Sequence, residues 1–149
     1  MTPRILVVFK KSAFQIYVEE HGDEHVRELL KRRSPVVANL LLAHREHEHC
    51  LATVRRTLDK MALRVTYRYR SRKLATRGFD LVVTVGGDGT LLEAARSIES
   101  TPVLSVNSSP SRSIAAFSDC MATTFGDCLA EHLAGRANVT ALARLAIEI

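Results

Sequence analysis

Five consecutive residues, Gly86-Gly87-Asp88-Gly89-Thr90, combine the side-chain types that handle phosphates and hydroxyl groups. They follow a run of apolar and β-branched residues at 81–85 and precede Leu91-Leu92-Glu93-Ala94-Ala95. Glycines in such a turn allow positive φ and let the backbone come close to a ligand. A carboxylate there repels phosphate unless it accepts a proton or binds a cation. As a functional group, Asp88 would accept a hydrogen bond from a substrate hydroxyl and deprotonate it for phosphoryl transfer, or help place Mg²⁺. As a structural group, it would be only a helix N-cap or a turn residue. The residues alone leave both open. Thr90 and Glu93 have capping-box spacing, which predicts that Thr90 caps the following helix.

The flanking pattern predicts how this turn is held. Residues 5–9 (Ile-Leu-Val-Val-Phe), 81–85 and 102–106 read as buried strands, the first with apolar residues on both faces. Residues 64–70 alternate Arg64, Thr66, Arg68, Arg70 with Val65, Tyr67, Tyr69, as in a half-exposed strand. Helical spacing marks residues 23–33, 36–43 (with a strand as the alternative), 48–62, 91–98 and 125–134, the last closed by Gly135. Residues 12–20 are less regular. Strands alternating with helices define the expected fold class: α/β, a Rossmann-like parallel sheet flanked by helices. The turn then sits at a strand's carboxyl end, where open α/β sheets bind ligands. The helix after it presents free N–H groups and a positive dipole end.

Length and composition limit the alternatives. The chain has 149 residues, 46% hydrophobic and 25% charged, which suits one globular domain. No apolar run is long enough to span a membrane, and no secretory leader is apparent, so a cytoplasmic protein is expected. A mitochondrial matrix would suit the basic composition equally. The formal charge is +5, and only Arg112, Arg136 and Arg144 are basic after residue 100. The excess peaks at Arg64, Arg68, Arg70, Arg72, Lys73 and Arg77. That is either a patch for phosphates or a solvated strand face and loop. Nucleic acid is not expected as a partner, because aromatics are only 5% and no stacking platform appears.

Other candidates are less specific. Lys10 and Lys11 follow a buried strand and could reach a phosphate at the sheet's carboxyl edge. Asn107 ends the strand at 102–106, where it would bond a nucleotide or close an Asx turn. Arg112 and Ser113 are phosphate contacts or part of a surface loop. His44, His47, His49 and Cys50 cluster with Glu46 and Glu48 but match no closed zinc pattern, so they read as a solvated helix start and no metal site is expected. Cys50, Cys120 and Cys128 read as reduced thiols without a nearby activator.

Gly86-Gly87-Asp88-Gly89-Thr90 after an apolar strand resembles the signature of ATP-dependent NAD kinases, and also occurs in lipid kinases and phosphofructokinases. Leu91-Leu92-Glu93-Ala94-Ala95 and Pro102-Val103-Leu104-Ser105-Val106-Asn107 favour the NAD kinases, and no lipid-kinase continuation follows. Val8-Phe9-Lys10-Lys11 and Asn107-Ser108-Ser109-Pro110-Ser111-Arg112-Ser113 look most like the divergent mitochondrial and plant members. The chain departs from the family at Ser105 and at Ala115 or Ala116, where glycines are usual; a Cβ there narrows a nucleotide pocket. The resemblance implies transfer of the ATP γ-phosphoryl group to the adenosine-ribose 2′-hydroxyl of NAD, giving NADP. ATP with Mg²⁺ and NAD are the implied ligands. Asp88 is the implied proton acceptor. Gly86, Gly87, Gly89, Thr90, Asn107, Lys10, Arg112 and Ser113 are the implied nucleotide contacts. The family's two-domain enzymes imply that residues 1–141 form the α/β domain and 142–149 begin a β-rich second domain. On that expectation the chain alone has little activity, and the full-length enzyme is a homo-oligomer. A lipid kinase domain and a non-catalytic nucleotide-binding module are the alternatives.

Overall fold

The computed structural model describes residues 2–70 and 73–144. Its centre is a five-stranded, all-parallel sheet in the order β2-β1-β3-β4-β5. The strands are β1 (Arg4–Phe9), β2 (Arg64–Tyr69), β3 (Leu81–Gly86), β4 (Val103–Asn107) and the two-residue β5 (Cys120–Met121). The continuous apolar runs of β1 and β3 follow from burial on both faces, since each is covered by helices above and below. β2 is an edge strand, and its exposed Arg64 and Arg68 discourage further pairing.

Among the described residues, α1 (Glu24–Lys31) and α2 (Pro35–Lys60) lie between β1 and β2, α3 (Asp88–Ala95) joins β3 to β4, and α4 (Phe125–Leu133) follows β5. Period-2 alternation splits the core. Ile5, Val7, Val83, Val85 and Val106 pack against α2 and α4 through Val54, Leu58, Phe125 and Leu129. Leu6, Val8 and Val82 face the other way, toward Ala94 and Ile98. Because β2 and β3 lie on opposite sides of β1, the winding reverses between β1 and β3. The carboxyl ends of those two strands form the switch-point crevice of a doubly wound sheet.

The structure corrects several expected elements. The helices expected at 36–43 and 48–62 are one continuous 26-residue helix, α2. His47 is not solvated but fully buried on it. The helix expected at 91–98 starts at Asp88, because Gly87 acts as its N-cap. Residues 15–20 form a π-helical turn. β5 was not expected; two residues are too few to show a pattern. The strand expected from residue 142 falls mostly outside the described residues, and residues 142–144 carry no regular structure.

Candidate functional site

Gly86 is the last residue of β3 and Asp88 the first of α3, so the strand passes into the helix through a single linking residue, Gly87. None of the three glycines of the turn has positive φ. The reason for glycine is space instead. A Cβ on Gly86 would lie 2.6 Å from Thr90 Cβ, and one on Gly87 would lie 3.3 Å from Ser113 Oγ. Thr90 is not the cap. It is the third residue of α3, in the first turn, buried, with its hydroxyl unpartnered among the described residues. The Gly87 carbonyl accepts from the Thr90 and Leu91 N–H groups at 2.9 and 3.3 Å. The N–H groups of Asp88 and Gly89 therefore lie ahead of the helix's own bonding ladder. Glu93 does not close a capping box; it faces Arg70, Oε2 to Nε 3.4 Å.

Asp88 is half-buried, and its negative charge suits the helix N-terminus. Its carboxylate accepts from two successive backbone N–H groups, Ala116 and Phe117, each at 3.0 Å. Two donors fix the plane of the carboxylate and leave about two of its four lone-pair positions open. The loop that supplies them leaves β4 and is tightly tied. Ser108 N–H donates to the Gly86 carbonyl at 2.9 Å. Asn107 Oδ1 accepts from Ser109 N–H at 3.1 Å, an Asx turn, and its Nδ2 donates to the Ser113 carbonyl at 2.8 Å. Ala115 has φ +44°, the left-handed region that glycine occupies without cost, at one of the two places where a family glycine was expected.

Lys10 follows β1, its N–H 3.4 Å from the Val85 carbonyl, so it stands at the crevice. Burial, then the charge of Arg70, pulls its ammonium pKa below the ordinary lysine value. Lys11 is engaged elsewhere, paired with Glu20 at 2.7 Å. Arg112 is exposed and Ser113 half-buried, both on the loop after β4. The structure thus brings Asp88, the glycines, Asn107, Ser113 and Lys10 to one edge of the sheet.

Residues that sequence patterns did not mark as site residues hold that edge. His47 Nε2 donates to the Lys10 carbonyl at 2.8 Å, and His44 Nδ1 meets Ser12 Oγ at 2.7 Å. Glu46 accepts from Ser109 Oγ at 2.8 Å. Hydrogen bonds from Ser111 and Ser109 hold its carboxyl below the ordinary glutamate value. Cys50 Sγ lies 4.0 Å from the Asn107 carbonyl. Burial pushes the Cys50 thiol up to about 11 and Cys120 well above the ordinary range, so both stay neutral. Among the described residues no His, Cys, Asp and Glu set is grouped to hold a metal ion, and no helix is long and apolar enough to cross a membrane.

The fold is an α/β doubly wound parallel sheet, with a glycine-rich turn and a fixed carboxylate at its switch point, where such sheets bind ligands. The model of the ATP-NAD kinase N-terminal domain family matches residues 1–125, and the chain belongs to that family. Two curated relatives align over short stretches. An NAD kinase of Natronomonas pharaonis is 68% identical over 28 residues, 19% of this chain and 10% of the relative. An NAD kinase of Caldicellulosiruptor bescii is 56% identical over 34 residues, 22% of this chain and 13% of the relative. The aligned stretches thus span about a tenth of each relative's length.

Proposed function

We propose that this chain carries the Asp88 half of an NAD kinase site, which moves the γ-phosphoryl group of ATP to the adenosine-ribose 2′-hydroxyl of NAD. The observation that carries the reading is the placement of Asp88: first in α3, at the switch point, its carboxylate held by two backbone donors. The 2′-hydroxyl would bond to a lone pair that the loop leaves open. As the ribose oxygen forms its bond to phosphorus, Asp88 takes the hydroxyl proton. The bond from phosphorus to the β–γ bridging oxygen breaks, and that oxygen leaves with the electron pair as part of ADP. The charge on the phosphates is met by the Mg²⁺ that enters with ATP as substrate and by the helix-start N–H groups. The Gly86–Thr90 turn gives ribose or phosphate close backbone approach. Lys10, just after β1 and beside the crevice, would meet a phosphate. Asn107 shapes the loop through its Asx turn, with Ser113 and Arg112 beyond it.

The test is NADP formation from NAD and Mg-ATP by the full-length protein, beside Asp88→Asn. Loss of general-base catalysis is expected to lower kcat about 10²- to 10⁴-fold. The circular dichroism spectrum should be unchanged. A wild-type protein that forms no NADP, or an Asp88→Asn protein as active as wild type, would refute the reading.

A further inference from the structure

Arg70, the residue after β2, turns away from the strand face toward the site. β1 and β2 are in register at Phe9 and Tyr69, so Lys10 and Arg70 emerge from the sheet side by side. Arg70 N–H donates to the Phe9 carbonyl at 2.9 Å, which fixes its backbone. Its side chain then crosses to the glycine-rich turn. Nη1 lies 3.8 Å from where a Gly89 side chain would begin, and Nε lies 3.4 Å from Glu93 Oε2. Lys10 approaches the same place from β1, half-buried, with no carboxylate partner among the described residues. Two neighbouring cations, of which only Arg70 meets an acid among the described residues, are an unfavourable arrangement in the free protein. A polyanion relieves it. Arg70 keeps donors to spare after meeting Glu93, because a guanidinium presents five N–H groups in a planar fork suited to phosphate oxygens.

The sheet order separates this cluster from Asp88's partners. Arg70 and Lys10 come from β2 and β1, on one side of β3, whereas the Ala116 and Phe117 amides come from beyond β4, on the other. We propose that Arg70, held in place by Glu93, binds the phosphates of the donor nucleotide together with Lys10 on the β1–β2 side of the turn. The acceptor hydroxyl then belongs on the β4 side, at Asp88. This assignment rests on the kinase reading above. It adds Arg70 as a binding residue and Glu93 as a positioning residue.

The experiment titrates inorganic tripolyphosphate into the full-length protein by calorimetry, and measures the KM for ATP and for NAD. Wild type is compared with Arg70→Gln, Arg70→Lys and a surface control of equal charge change, Arg136→Gln. Losing one charge-assisted contact is expected to weaken tripolyphosphate binding about tenfold or more in Arg70→Gln. Arg70→Lys should fall between that variant and wild type, and Arg136→Gln should match wild type. The KM for ATP should rise in parallel while the KM for NAD stays. Because the Phe9 carbonyl is met by the backbone of residue 70, these variants keep that strand contact. Tripolyphosphate binding unchanged in Arg70→Gln would overturn the proposal even if NADP is formed. A rise in the KM for NAD alone would overturn it as well. Arg70-dependent tripolyphosphate binding without NADP formation would keep the phosphate site and reject the kinase reading.

Discussion

Asp88 and Gly86 act on either side of one linking residue, and each constrains the other. Asp88 reaches the Ala116 and Phe117 amides only because α3 starts immediately after β3, and that start needs Gly86 to lie against Thr90. An alanine at 86 would put its Cβ 2.6 Å from Thr90 Cβ, an atom fixed to the helix backbone. Strand and helix must separate, and Gly86→Ala is expected to cost about 1–3 kcal/mol, the range of overpacked cores. Gly89→Ala meets only Arg70 Nη1 at 3.8 Å, an ordinary contact. It is expected to change stability by no more than about 0.5 kcal/mol. Urea denaturation of the two variants checks the difference, and equal costs would remove the steric explanation. The sequence shows that this turn needs glycine but suggests dihedral freedom as the reason. The close approach depends on a side chain four residues on, whose expected role as a cap pointed elsewhere.

At the scale of elements, α2 holds the site's loops from behind. Within two turns it presents His44 to Ser12, Glu46 to Ser109, His47 to the Lys10 carbonyl and Cys50 toward the Asn107 carbonyl. These partners stand 32 to 63 residues away in sequence, so no local pattern encodes them. The polar stretch instead interrupts the apolar spacing, which is why α2 reads as two helices with a solvated start between them. His47 gives the element a pH signature. A carbonyl only accepts, so Nε2 carries the proton, and Nδ1 is buried without a partner among the described residues. Burial lowers its pKa, against the bond to Lys10, with the Lys10 ammonium lowering it further and Glu48 opposing. The folded state therefore keeps His47 neutral while the unfolded chain takes up a proton near the ordinary histidine value, about 6.5. Its stabilising contribution is complete above that pH and falls as pH drops toward the folded value, by at most about 1.4 kcal/mol per pH unit. A glutamine side chain in its place can still donate to the carbonyl but cannot titrate. Urea denaturation between pH 5 and 8 should show a shallower acid slope for His47→Gln than for wild type. Equal slopes would place the titration elsewhere.

Across the whole molecule, the two ends of the sheet have different tasks. α2 runs from the carboxyl edge, where His47 meets the residue after β1, to the opposite edge, where it ends three residues before β2. Strands alternating with helices make the α/β class readable from the sequence. The order β2-β1-β3-β4-β5 is not, because it is set by which side of β1 each returning strand takes, a choice made by packing rather than by any local pattern. That order puts β3 in the middle and gives the turn neighbours on both sides. It also leaves the larger of the two apolar clusters under α2 and α4. Leu58 lies in this cluster, fully buried, near the helix end remote from the site. Leu58→Ala is expected to cost about 2–5 kcal/mol through lost burial and the cavity left behind. Against a total stability of about 5–15 kcal/mol, that lowers Tm by several degrees or more. The loops at the carboxyl edge hang on residues 44–50, about two to four turns away along the helix. Well below its midpoint, Leu58→Ala should therefore bind tripolyphosphate within about twofold of wild type. Calorimetry beside thermal denaturation separates the effects. A large loss of affinity in the folded variant would show that the core and the site do not respond independently.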